Sequence, residues 1–411
     1  MNFTFLHAAD LHLGSPLTGL ALKDPDVARR VALAGRQAFT ALVDRALEER
    51  VAFVVIAGDV YDGEWKDTSI GLFFNAQVAR LDRAGIPVFL VKGNHDADSV
   101  VTKAITLPAG VRVFGSDTPE TVRLDGLRVA LHGQSFADRA VTDNLARGYP
   151  AAVSGWFNIG LLHTALDRQS AVHAPYAPCS LADLSAARYD YWALGHLHEF
   201  EIVATRPHVV FPGNLQGRSV RECGPKGAVM VDVVDGAVAA VRPFHVASAV
   251  WSDIAVDLAG QGDYHEAVRL IERDLARAAA TAPETMIAVR VRLTGATRLH
   301  RGFASDRESL RVEIQAAGLR SHPDLWIEKV VLATTDDEPV CRDGPLEALD
   351  LAALLAGVEA DPDLRAQLEA ELRPMAARLG EIDRDEPIAG DIDAILSEAR
   401  ALVLGRSEQE G

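Results

Sequence analysis

Carboxylates, imidazoles and a carboxamide recur along this chain in tight groups. They are Asp10 with His12, Gly58 with Asp59, the run Gly93-Asn94-His95-Asp96, a single His163, and the run Gly195-His196-Leu197-His198. None of these groups contains a thiol. A mixed nitrogen and oxygen donor set suits Mn, Fe or Zn better than a sulfur-rich structural site does. Two such cations held close together hydrolyse phosphate esters, and that is the chemistry the groups predict. An isolated Asp-x-His or Gly-Asp is weak, because either commonly closes a strand or turn. The ordered series carries the inference.

Each group directly follows an apolar run: FTFLHAA, AFVVIA, IPVFLV, FNIGLL and YDYWAL. Runs of this length, rich in Val, Ile, Phe and Tyr, read as buried strands. Strand C-terminal ends are where open α/β sheets present ligands. Helices are expected from about Asp26 to Arg50, on Val27, Val31, Leu33, Phe39, Leu42, Val43 and Leu47, and from Ile70 to Arg83. Later strands are short and closely spaced, with Asp235-Gly236 as a hairpin signal, so a mixed sheet is expected in residues 1–250. Residues 251–335 read as strand, helix, strand, helix, strand, a small α+β domain. Residues 336–411 read as short acidic amphipathic helices.

The chain has 411 residues, 48% of them hydrophobic, which predicts a folded protein of two or three domains. No uncharged apolar stretch is long enough for a membrane span. The N-terminus reads as a first strand and not as a signal peptide. Cys179, Cys223 and Cys341 are far apart and form no paired motif, which fits a cytoplasmic location. Net charge is −17, distributed as −3 over residues 1–250, −1 over 251–335 and −13 over 336–411. The acidity therefore belongs mostly to the tail, and no long basic groove is visible.

The motifs resemble those of the calcineurin-like metallophosphoesterase superfamily. The resemblance implies a four-layer α/β/β/α sandwich, here followed by a small α+β capping domain and a helical C-terminal tail. It implies that Asp10, His12 and His198 hold one divalent metal ion. Asn94, His163 and His196 would hold a second, with Asp59 bridging the two. His95 would approach the phosphate and assist the leaving group. Asp62 would orient His95 or a metal ligand, or simply cap the next helix. His7 reads as packed or in support of a ligand, and Asp96 as orienting its loop.

The segments HAADLHLGSPL, GDVYDGEWKD, HAPYAPCS and YDYWALGHLHE resemble the SbcD-type DNA repair exonucleases, in their YhaO-like branch. That resemblance implies a manganese-dependent exonuclease acting on double-stranded DNA ends, with endonuclease capacity left open. Residues 251–335 would cap DNA, and the tail would dock an SMC-like coiled-coil ATPase of the SbcC type. Homodimerisation is also left open. His173 and Tyr176, in a Pro-rich loop, either stack on a base or pack the loop. Asn214 and Arg218 follow another strand end and are candidate phosphate contacts. Two competing readings are a phosphodiesterase for small substrates such as cyclic nucleotides, and a metal-containing adaptor without catalysis.

Overall fold

A computed structural model of the chain describes residues 1–15, 17, 20, 24–62, 68–97, 106–166, 176–337 and 360–382, with isolated positions at 355, 357, 396, 399, 400 and 403. His173 and most of residues 338–411 lie outside the described residues. The chain folds as two compact units. The first comprises residues 1–17, 24–218 and 225–249; the second includes 219–224 and the residues from Val250 onward.

The first unit holds two six-stranded mixed sheets. In one, β1 (Phe3–Ala8), β2 (Val54–Ala57), β3 (Val88–Val91) and β4 (Val111–Val113) run parallel, and β11 (Gly227–Val234) and β12 (Ala237–His245) join antiparallel beside β1. In the other, β6 (Val129–Gly133), β7 (Phe157–His163), β8 (Tyr191–Gly195) and β10 (His208–Phe211) run parallel. They are flanked by antiparallel β5 (Glu120–Leu124) and β9 (Glu201–Thr205). Asp235 and Gly236 have φ of 53° and 78°, the left-handed pair that a two-residue hairpin turn requires.

Side-chain alternation explains why the strands are apolar throughout. Phe5, Val55, Phe89 and Val91 pack with Val129, Leu131, Ile159, Tyr191 and Ala193 in a core between the sheets. Their neighbours Leu6, Val54, Ile56, Val88 and Leu90 face outward, against Phe39, Leu42, Phe74 and Val78 of helices Pro25–Glu48 and Thr68–Arg83. On the far side Trp192, Leu194, Val209 and Phe211 pack with Ala146, Tyr149 and Leu184 in a thinner outer layer. Strands covered on both faces read as continuous hydrophobic runs. The result is a four-layer α/β/β/α sandwich.

The first helix begins on Asp24, whose carboxylate accepts from the backbone of Asp26 and Val27, with Pro25 in the first turn. Leu33 departs from the expected stripe: it is 49% exposed, and the smaller Ala34 and Ala38 face the core instead.

The second unit carries β13 (Ala249–Asp257), β14 (Met286–Ala296) and β15 (Leu325–Thr335) in that order, packed with helices Tyr264–Ala279 and Arg307–Ser321. Helix Pro362–Ile382 follows, with Leu364, Leu368 and Leu372 half-buried along one stripe. Among the described residues, no helix is long and apolar enough to cross a membrane. In this unit Arg290 Nε donates to Glu328 Oε2 at 2.7 Å, with both side chains under 10% exposed. Arg290→Ala should cost about 3–5 kcal/mol, because Glu328 would stay buried without that partner. Urea unfolding measures this, and a loss below about 1 kcal/mol would mean the pair is effectively solvated.

Candidate metal centre

Strand pairing continues past the formal ends of β1 and β2. Asp10, His12 and Leu13 donate backbone N–H groups to Gly58, Asp59 and Val60 carbonyls at 2.9–3.0 Å. Within this ladder Asp10, His12 and Asp59 have φ of 52°, 43° and 53°, and His196 at the end of β8 has 106°. Left-handed backbone at non-glycine residues is costly and gathers at functional sites. Here it turns side chains out of the strand register toward one another.

The second sheet supplies the opposite wall. The backbone N–H of His196 donates to both Asp10 carboxylate oxygens, at 2.9 and 3.2 Å. His198 Nε2 lies 3.2 Å from His12 Nε2 and 3.8 Å from Asp10 Oδ1. His163 Nε2 lies 3.1 Å from Asn94 Oδ1 and 3.4 Å from Asp59 Oδ2. Asp59 Oδ2 is also 3.9 Å from His12 Nε2. Candidate donor atoms thus group as Asp10, His12 and His198, as His12, Asp62 and His95, and as Asp10, Asp59 and His163. His196 belongs to none of these groups, and its ring centroid is 5.2 Å from that of His163.

The donor set fits divalent cations. The Ala57 carbonyl can only accept, so His163 Nδ1, 2.9 Å from it, carries the proton. His163 Nε2 therefore presents a lone pair toward two oxygens, those of Asn94 and Asp59. Converging lone pairs with no proton between them repel, and a cation reverses the sign of that interaction. His12 Nδ1 is buried and accepts or donates no hydrogen bond. Burial lowers the His163 pKa to about 3 and holds His12 well below its usual value, so both imidazoles stay neutral, as ligands must. Burial, and then the Asp59 charge, pushes Asp10 well up; burial raises Asp59 to about 6 despite the His95 charge.

Beside this cluster, His95 Nδ1 lies 2.8 Å from Asp62 Oδ1. Burial acts to lower the His95 pKa, but the Asp62 hydrogen bond and the Asp59 and Asp62 charges outweigh it and raise it. Arg218 reaches Asp62 Oδ2 and His198 Nδ1, each at 3.4 Å. Asp96 accepts from the backbone of Val60 and Gly93 on one oxygen and Tyr61 on the other, at 2.9–3.1 Å, joining the loops that follow β2 and β3. The Tyr176 ring packs 5.5 Å from that of His196. Asn214 is 1% exposed, and its amide nitrogen donates to the Gln216 carbonyl at 3.0 Å.

Comparison with known proteins meets this geometry. The calcineurin-like phosphoesterase family matches residues 3–200. Residues 3–200 belong to the calcineurin-like phosphoesterases. The middle domain of metallophosphoesterase YhaO matches residues 251–335 of the same chain. The uncharacterized metallophosphoesterase YhaO of Bacillus subtilis (strain 168) is 36% identical over 262 residues, 62% of this chain and 64% of that protein. The chain thus aligns with just under two-thirds of that relative. Two proteins named DNA double-strand break repair protein Mre11 are each 28% identical. That of Aeropyrum pernix matches over 67% of this chain and 69% of its own length, and that of Thermoplasma acidophilum over 57% and 63%.

Some supports of the phosphoesterase site carry no motif. Lys226 is 4% exposed and donates to the His198 carbonyl at 3.0 Å and to Glu199 Oε1 at 2.6 Å. The Phe136 ring meets that of His163 edge-on at 5.6 Å. Neither stands near a ligand in sequence, so spacing gives no signal for them. Gly195 has a steric reason: a Cβ there would collide with the Ala57 carbonyl oxygen of the facing sheet. Gly195→Ala should cost about 1–3 kcal/mol and weaken metal binding by spreading β2 from β8. Thermal unfolding with and without Mn²⁺ checks this, and an unchanged midpoint in both would contradict the close approach.

Proposed function

We propose that this metallophosphoesterase is a two-metal phosphodiesterase acting on double-stranded DNA ends as an exonuclease. The observation that carries the catalytic part is the convergence of His163 Nε2, Asn94 Oδ1 and Asp59 Oδ2 without an intervening proton, next to a His95–Asp62 pair. The DNA part is supported by similarity to proteins named for double-strand break repair. In this reading Asp10, His12 and His198 would hold one cation, Asn94, His163 and His196 would hold the other, and Asp59 would serve both. Residues 1–250 form the catalytic domain, 251–335 cap DNA, and the acidic 336–411 dock a basic surface of an SMC-like ATPase.

Two divalent cations, manganese in this reading, supply Lewis-acid charge to the phosphate and make water acidic enough to act as nucleophile. The protein's own groups do the rest. Asp10 and Asp59 set the negative charge of the site, and the neutral imidazoles leave it net positive when loaded. Asp62 holds the Nδ1 proton of His95, which turns Nε2–H toward the leaving oxygen. Arg218, pinned between Asp62 and His198, adds positive charge at the rim.

The test is Mn²⁺-dependent cleavage of end-labelled linear duplex, with covalently closed duplex and a cyclic nucleotide alongside. Shortening of the linear duplex alone is the expected result. Hydrolysis of the cyclic nucleotide alone would move the chain to small substrates.

A further inference from the structure

His7 lies in the apolar core between the sheets and is 0% exposed. It sits on β1, three residues before Asp10. Its ring bonds only to β8 of the opposite sheet: Nδ1 is 3.0 Å from the Tyr191 hydroxyl and Nε2 is 3.2 Å from the Leu194 carbonyl. A carbonyl only accepts, so Nε2 carries the proton, Nδ1 accepts, and the Tyr191 hydroxyl donates. Every polar atom in this small network is satisfied by the neutral ring.

A fully buried imidazole whose ring meets that of Tyr191 edge-on costs desolvation, so its place calls for a reason other than packing. Leu194 lies two residues before His196 and four before His198. The bond thus ties the strand that delivers Asp10 and His12 to the strand that delivers His196 and His198. The other group has its own tie: His163 Nδ1 bonds to the Ala57 carbonyl, joining β7 to β2, two residues before Asp59. The two sheets are therefore tied beside the centre by two different imidazoles, one at β1 and β8 and one at β2 and β7.

The geometry points to His7 as a positioning residue that sets Asp10 and His12 against the end of β8, and so governs the group Asp10, His12 and His198 more than the group joined through β7 and β2. This rests on the reading of those side chains as metal ligands. A methyl-scale slip of β8 against β1 would separate His198 from Asp10 and shift His196, while leaving Asp59, Asn94 and His163 together. Partners outside the direct ligand set fix ligand orientation in this way.

Calorimetric titration of the metal-stripped full chain with Mn²⁺ tests it. Wild type should bind two equivalents. His7→Phe, which keeps the ring volume, should weaken one of the two by about 10–100-fold and the other, through His196, by less. Tyr191→Phe removes only the hydroxyl donor and should weaken the same equivalent by less. His7→Gln, whose amide offers one acceptor and a donor, should recover part of the loss. Unchanged affinities in both His7→Phe and Tyr191→Phe would overturn the role of His7. Equal loss of both equivalents would reduce His7 to a general core residue. A wild type that binds no Mn²⁺ would overturn the ligand reading itself, and the inference with it.

Discussion

Asp59→Asn should lower phosphodiester hydrolysis by about a thousandfold or more, a loss of several kcal/mol of transition-state stabilisation. Asp59 Oδ2 faces His163 and His12 at 3.4 and 3.9 Å, and Oδ1 accepts the His95 backbone N–H at 3.0 Å. The amide preserves shape and one acceptor but removes the charge that offsets two neighbouring cations. Both metals should therefore bind more weakly, which equilibrium dialysis reads directly. The metal-free protein should change in the opposite direction. Burial raises the Asp59 pKa from 3.8 to about 6, so the folded state holds its proton more tightly than the unfolded chain. Its contribution to stability is then fullest below about pH 4 and is lost as pH rises toward 6 and above. Asp59→Asn has no proton to lose, so the stripped variant should melt above the stripped wild type at pH 7. Full activity with two bound metals in Asp59→Asn would remove Asp59 from the centre.

His95→Ala should separate binding from chemistry. The expected loss is about a hundredfold to ten-thousandfold in turnover, the usual range for general acid–base assistance. Metal stoichiometry should be unchanged. The reason is local: the bond to Asp59 comes from the His95 backbone, which alanine keeps, while only the ring reaches Asp62. Loss of a metal in this variant would make His95 a ligand; unchanged turnover would deny it a role in the reaction.

Much of the fold was legible because its signal is one of burial. Runs such as that ending at Ala57 and that ending at Gly195 are covered on both faces, and their uninterrupted hydrophobicity says so. The Asp235-Gly236 turn was legible because it needs positive φ at both positions. Leu33 was misread because the helix periodicity tolerates neighbouring solutions, and two alanines took the inward places. At the site, spacing could mark Asp10, Asp59, Asn94 and His163 as candidates but not their encounter. That depends on left-handed backbone at Asp10, His12 and Asp59 and on two sheets packed face to face so that their strand ends meet. Lys226, Phe136 and the cross-sheet bonds of His7 were silent for the same reason, since each acts on a strand remote in sequence.

The most direct test of the metal centre is hydrolysis of an aryl phosphodiester by metal-stripped protein during stepwise addition of Mn²⁺, with binding followed in the same samples. The two-metal account predicts negligible turnover at the start and a rise that saturates at two equivalents per chain. Full turnover in the stripped protein with chelator present, or two bound equivalents with no turnover toward this ester or toward duplex DNA, would contradict it.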